Sequence, residues 1–342
     1  VTADADVLVA GGGPVGLAVA IEARLAGLDV IVAEPREGAI DKACGEGLMP
    51  GALPALARLG VDPAGMPFTG IAYLDGRHRV EHRFSAGPGR GVRRTVLHAA
   101  LRRRAEELGT RFADARIESL TQRSGVVTAA DIRVRWLVGA DGLHSTVARE
   151  AGLAVPTPRA RRRFGQRRHF AVAPWSEFVE VTWTPLGELY LTPVDAGTVG
   201  VAVLARRGVR FDDALASAPG LAERLEGAIP ISDLRGAGPL RQRTRRRTAG
   251  RVLLVGDASG YVDALTGEGL RIGFAQARAA VAAIVAGEPG GYERAWVEET
   301  RDFRRLTGSL VRLATSPVRG LVVPAAARLP GVFAGAVERL AR

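Results

Sequence analysis

Two hydrophobic periods alternate along this chain. The apolar runs Val7 to Ala10 and Asp29 to Ala33 read as buried strands. Between them Val15, Leu17, Val19, Ile21 and Leu25 recur at the spacing of a buried helix from Pro14 to Ala26, which Gly27 closes. The strand-then-helix pattern returns twice. Ile132 to Val138 runs into Gly139-Ala140-Asp141-Gly142 and a helix from about Ser145, and an apolar strand ending at Gly256-Asp257 leads to a long helix from about Gly269. Val96, Leu97, Ala100, Leu101, Ala105 and Leu108 mark a helix opening at Arg94, and residues 292–313 mark another. A period of two governs the middle. RRHFAVA, EFVEVTW, GELYLTP and TVGVAVLA, within residues 167–205, predict antiparallel strands with turns near Ala173-Pro174, Leu186-Gly187 and Ala196-Gly197. A further strand pair near 71–84 joins the same sheet, and short helices follow Pro317. The pattern predicts an α/β fold with an inserted antiparallel sheet.

The first strand–helix–strand unit carries specific chemistry. Gly11, Gly13 and Gly16 give the G-x-G-x-x-G spacing. Gly11 permits the tight turn, Gly13 lets the backbone approach a pyrophosphate, and Gly16 lets helix pack on strand. Pro14 and Val15 begin the helix, whose unpaired N–H groups favour phosphate oxygens. Glu34 ends the second strand, where it accepts ribose hydroxyls and repels a 2′-phosphate. Strand, glycines, helix and acid together predict dinucleotide binding.

Composition adds bounds. The 342 residues carry a net charge of +11, almost wholly from arginine, because Lys42 is the only lysine. Cys44 is the only cysteine, so no intramolecular disulfide forms and a reducing, cytoplasmic setting is expected. No signal segment is read before Val7. The apolar stretch Leu321 to Val337 is broken by Pro324, Arg328 and Pro330, too interrupted for a transmembrane segment but suited to a membrane surface or a partner.

The glycine loop, LVGADGLHSTVARE at 137–150 and VLLVGDASGYVDALTGEGLRIG at 252–273 together resemble the FAD-dependent aromatic hydroxylase superfamily, of the para-hydroxybenzoate hydroxylase fold. That resemblance implies a Rossmann-like FAD/NAD(P)-binding domain of the glutathione-reductase type, with an inserted antiparallel β-sheet substrate domain and a helical C-terminus. It divides the chain into a discontinuous FAD-binding domain (1–70, 92–155 and 245–315), a sheet domain (71–91 and 156–244) and a tail (316–342). Carried over, the first motif holds the ADP half of FAD. Asp141 and Gly142 are shared between FAD and nicotinamide contacts, and Asp257 meets the ribityl chain. DKACGEGLMP (41–50) and ALTGEGLRIG (264–273) are similar to the geranylgeranyl-reductase-like branch, where Cys44-Gly45 and the T-G-E-G turn lie beside the flavin. Gly260 and Ala264 stand where the simple phenol hydroxylases have histidine and proline. Gly267, Gly269 and Leu270 open a helix whose positive end favours an anionic reduced flavin. The family's arginine at a helix start falls on Arg94, and Arg36 is a second phosphate candidate.

Cys44 is a candidate proton donor if an alkene is reduced, or a small packing residue among glycines. His78, His82, His98, His144 and His169 lack the grouping of a metal site. The arginine runs at 159–169 and 241–247 read first as a solvated face. Attraction of NADPH phosphates or of an acidic carrier protein comes next, and nucleic acid last, since no nucleic-acid fold or aromatic interleaving accompanies them.

The resemblance leads to an FAD-dependent monooxygenase. NADPH or NADH reduces the flavin, a hydroperoxyflavin forms with oxygen, and a hydrophobic, aromatic or polyketide-like molecule is hydroxylated in a dry pocket. The alternative is a reductase of isoprenoid or other alkene bonds, motivated by Cys44-Gly45 and T-G-E-G. Halogenation is disfavoured, since the sole lysine lies at 42 and the paired-tryptophan motif is missing.

Overall fold

The computed structural model describes residues 3–157 and 162–342. Ala5–Ala10 pairs in parallel with Val30–Ala33 on one side and Ile132–Gly139 on the other. Arg111–Ala113 and Val252–Leu254 extend the sheet outward, also in parallel. The carboxyl ends of all five strands therefore share one edge. The hairpin Leu120–Arg123 and Val126–Ala129 lies antiparallel against the start of Ile132–Gly139.

Helices cover this sheet because its strands are apolar on both faces. Pro14–Leu25, Arg94–Glu107 and Gly269–Ala286 pack on one side, with Val7, Val9, Leu17, Ile21, Leu97 and Phe274 in their core. Gly273 permits the closest approach: a Cβ there would lie 2.4 Å from a Val15 methyl. Gly269–Ala286 is long and apolar enough to cross a membrane by length and composition, but half of it is buried inside this layer.

The second sheet runs from Arg163–Ala171 through Thr198–Arg206, Gly187–Asp195 and Phe178–Trp183 to Gly70–Leu74 and Arg79–Arg83. It is not wholly antiparallel. Phe178–Trp183 and Gly70–Leu74 run parallel, because the early hairpin enters the sheet in the same direction as the later strand beside it. Nor is one face solvated. Phe211–Ala216 and Pro219–Arg224, two helices the hydrophobic pattern did not reveal, cover Phe170, Leu189, Val201 and Val203.

The other face meets the C-terminal helices Pro289–Ala314, Val322–Arg328 and Pro330–Ala341. Phe333 sets its ring 5.0 Å from Tyr73, which in turn lies 5.5 Å from Trp183. Val323 and Val337 are buried beside them, and His82 bonds Glu338 at 2.8 Å. Val323, Phe333 and Val337 of the Leu321 to Val337 stretch thus face the interior, while Ala327 to Val332 are exposed.

The arginine run at 159–169 departs from the solvated reading. Residues 159–161 lie outside the described residues. Arg163 and Arg167 are 4% and 1% exposed, on the inward face of their strand. Arg163 pairs with Glu188 and, at 3.2 Å, with Asp263, while Arg167 pairs with Asp41. Charge alone signalled surface, but the period-two pattern of the strand points these two inward. In the 241–247 run, Arg241, Arg243, Arg245 and Arg246 are exposed, while Arg247 stacks 3.5 Å over the Trp296 ring.

Candidate active site

The parallel sheet's carboxyl edge brings the three glycine-bearing loops together. Gly11 turns at φ +105°, and a Cβ there would sit 2.7 Å from the Ala140 carbonyl. Only glycine lets these two strand ends touch. A Cβ on Gly16 would lie 1.9 Å from the Gly11 carbonyl, so the helix packs directly on the loop. Gly13 differs: its Cβ position meets no heavy atom within 4 Å. That opening, at the N-terminus of Pro14–Leu25, is where a pyrophosphate would lie.

Glu34 stands behind the loop, 8% exposed. Its carboxylate accepts the Gly12 N–H at 2.9 Å and two guanidinium N–H groups of Arg36 at 2.7 and 2.9 Å. Burial works against the charged carboxylate, but Arg36 and Gly12 outweigh it and hold Glu34 below its ordinary pKa. Arg36 therefore sits on Glu34 rather than at the helix N-terminus, and a ribose hydroxyl would take the place of one of its N–H bonds.

His98, which the sequence reading set aside, supports the same loop. It is 2% exposed and its Nε2–H donates to the Gly12 carbonyl at 2.9 Å, while Nδ1 is buried without a partner. Burial pushes its pKa below the ordinary histidine value, so the ring is neutral. The available signal was its place four residues after Arg94, on the buried face of that helix.

The Cys44-Gly45 loop is fastened from behind by Glu46. This residue adopts φ +59° and is 4% exposed. Its carboxylate accepts the backbone N–H of Arg94 at 2.8 Å and faces His169 Nε2 at 2.6 Å. Thr192 donates its hydroxyl to the Gly45 carbonyl at 2.8 Å. Cys44 accepts the Glu46 N–H at 3.4 Å. One buried acid thus joins the loop, the start of the Arg94 helix and the second sheet.

Asp141 takes the Ser145 hydroxyl at 2.5 Å and the Val147 N–H at 3.1 Å, capping the short helix Thr146–Glu150. Burial pushes its carboxyl above the ordinary value against the pull of those bonds. Asp257 faces Lys42 at 3.5 Å across the groove, and Gln276 holds the Gly256 N–H at 2.6 Å. Gln276 is a contributor outside every quoted motif, and Lys42 and Glu46 lie within DKACGEGLMP without having been singled out for the site. Glu268 of the T-G-E-G turn folds back on Arg271 at 2.7 Å, while Gly267 and Gly269 face the groove.

A single cavity of about 480 Å³ unites the site. Gly11, Gly13, Pro14, Val15, Arg36, Cys44, Gly45 and Arg94 line it on one side. Asp141, Gly142, Asp257, Gly267, Gly269 and Leu270 line it from the other loops, with Gly16 and Glu34 directly behind. Away from the glycine loops the wall is mostly apolar: Phe68, Ile71, Val179, Val181, Leu204 and Leu240, with Tyr73, Tyr190 and Tyr261 and the neutral polar side chains of Gln166 and Thr192. Burial pushes all three phenols above their ordinary pKa, so they stay protonated. Tyr190 donates to the Leu265 carbonyl at 3.0 Å.

These features fit FAD. The space beside Gly13 admits a pyrophosphate, two helix N-termini point into the groove, and the buried Nε of Arg94 has no partner in the protein. An orphaned buried donor calls for an acceptor, which a phosphate or flavin oxygen supplies.

A family model described as FAD binding domain matches residues 4–293. Menaquinone reductase of Mycolicibacterium smegmatis is 27% identical over 85% of this chain and 79% of its own length. Dialkyldecalin synthase of Streptomyces rugosporus is 32% identical over 79% of this chain and 63% of its own. The solved p-nitrophenol 4-monooxygenase of Pseudomonas putida DLL-E4 superposes with a TM-score of 0.79 over 98% of this chain and 94% of its own, at 19% identity, a likeness of fold. With the glycine loops, the orphaned arginine and the family match in agreement, this chain belongs to the FAD-binding-domain family, within the FAD-dependent aromatic hydroxylase superfamily.

Proposed function

We propose that this flavoprotein is a monooxygenase that uses NADPH or NADH to hydroxylate a hydrophobic, aromatic or polyketide-like small molecule. The observation that carries the reading is the chamber continuous with the flavin groove. Its sheet-side wall bears no carboxylate, amine or imidazole among the described residues. When bound and reduced, FAD supplies the activation of dioxygen. The protein's share is a dry, shaped space and orientation.

Each part of that share has residues. Phe68, Ile71, Val181, Leu204 and Leu240 exclude water from the substrate's apolar body. Tyr73 and Tyr261, kept protonated, serve as hydrogen-bond donors to a substrate oxygen. Arg94 and the N-terminus of Gly269–Ala286 supply positive potential where negative charge gathers. Phe333 and Leu340 belong to the C-terminal helices, which lie over the chamber and slow the entry of solvent.

A second reading, alkene reduction, is favoured by one observation: Cys44 lines the cavity, in a chain with a relative named menaquinone reductase. Cys44→Ala separates the two. Under hydroxylation the variant keeps turnover within about threefold of the parent. If the thiol supplies the proton to a reduced alkene, loss is expected at the roughly 100-fold scale of general acid catalysis. Single-turnover product analysis under anaerobic and aerobic conditions reads the outcome.

A further inference from the structure

The C-terminal helices have an outer side that the site does not use. Thirteen large hydrophobic side chains are exposed among the described residues, and five fall within residues 313–332: Leu313, Val318, Leu321, Leu329 and Val332. Leu321, Leu329 and Val332 are 62%, 57% and 69% exposed. They lie along Pro317–Arg328 and Pro330–Ala341, two helical segments that meet at 101°. The bend makes a corner at Leu329. From Ala327 to Val332 every residue is exposed.

Along this segment of the chain the charge has nearly one sign. Residues 303–342 contain seven arginines and one acid, Glu338. That acid is held at the opposite side by His82 and by the backbone and hydroxyl of Ser85. Arg312, Arg328 and Arg339 are exposed. Apolar tips flanked by unopposed arginines complement an anionic lipid surface: the side chains enter the acyl boundary while the guanidinium groups meet phosphates. The inner side of the same segments carries Phe333 against Tyr73 and Leu340 on the cavity wall. The corner therefore belongs to the same helical segment that reaches the cavity wall at Leu340.

We infer that this corner docks the protein, peripherally, on an anionic bilayer. The chamber then faces the lipid from which a hydrophobic substrate partitions. Docking does not depend on whether the site oxygenates or reduces.

The test is co-sedimentation of the FAD-loaded protein with vesicles of phosphatidylcholine alone or mixed with phosphatidylglycerol. The inference predicts binding to the mixed vesicles, weakened by salt. Leu329→Glu combined with Val332→Glu should weaken it by roughly tenfold or more, and Arg312→Glu combined with Arg328→Glu should do the same. Unchanged flavin content and circular dichroism show that the variants fold, which these exposed positions allow. Failure of the parent to bind mixed vesicles overturns the inference. So does equal binding by both double variants. A salt-insensitive self-association abolished by Leu329→Glu, without vesicle binding, would assign the corner to a second copy of the chain instead. The oxygenase reading fails on a different result, the absence of oxygen in the product.

Discussion

Gly11 and Gly13 lie two residues apart, yet a side chain harms them in different ways. At Gly11 an added methyl meets a backbone carbonyl at 2.7 Å with φ at +105°, so Gly11→Ala strains the fold itself. At Gly13 the space is open, and Gly13→Val fills only what the cofactor needs. Gly11→Ala is expected to lower both the melting temperature and flavin content. Gly13→Val should leave the apoprotein's melting temperature nearly unchanged while weakening FAD by more than about tenfold, about 1.4 kcal/mol. Calorimetry and flavin titration check the pair. His98 adds a pH dependence. Its folded pKa lies below the ordinary 6.5, so between the two values the unfolded chain binds the extra proton. Its contribution is intact above about pH 6.5 and is lost as pH falls toward the folded value. Flavin release should therefore steepen on acidification, and His98→Gln, which retains an N–H for Gly12, should flatten that slope. The glycines were legible because their spacing is dictated by a phosphate. His98 was not, because a histidine's partner across 86 residues leaves no trace in its neighbours.

At the scale of elements, two buried charge clusters bind the sheets and loops. Arg163 holds Glu188 of its own sheet and Asp263 of the loop before Gly269–Ala286, and Arg319 of the C-terminal segment reaches Glu188 at 3.0 Å. Glu188→Ala leaves Arg163 buried with one acid fewer and is expected to cost about 3–5 kcal/mol, read as a fall in the denaturant midpoint. A surface pairing, by contrast, would shift it by less than about 1 kcal/mol. Glu46 acts likewise for the Cys44 loop, through Arg94 and His169. The strands and the nucleotide-binding unit could be read from hydrophobic period, because parallel strands covered on both faces are continuously apolar. The helices Phe211–Ala216 and Pro219–Arg224 could not: each has six residues, too few for a helical period to stand out. The parallel pairing of Phe178–Trp183 with Gly70–Leu74 joins strands more than a hundred residues apart, and alternation carries no information about direction.

Across the whole molecule, flavin groove and apolar chamber form one cavity, which the C-terminal helices close in part through Leu340. That closure depends on Phe333. Phe333→Ala removes its contact with Tyr73 and is expected to cost about 3–5 kcal/mol if the gap stays open. Its functional sign is leakage: more NAD(P)H oxidised and hydrogen peroxide released per product formed, measured by comparing the three amounts. Composition correctly drew attention to arginine excess, yet could not separate Arg163 and Arg167, which lie inside, from Arg312 and Arg328, which lie outside. Only the strand's alternation and the tail's packing distinguish them. The most direct test of the account supplies the FAD-loaded protein with NAD(P)H, a panel of hydrophobic phenolic and polyketide-like compounds, and isotopically labelled dioxygen, then weighs the product. The account predicts one labelled oxygen atom in the product and none when oxygen is withheld. A product that gains two hydrogens and no label, formed equally well without oxygen, would contradict it.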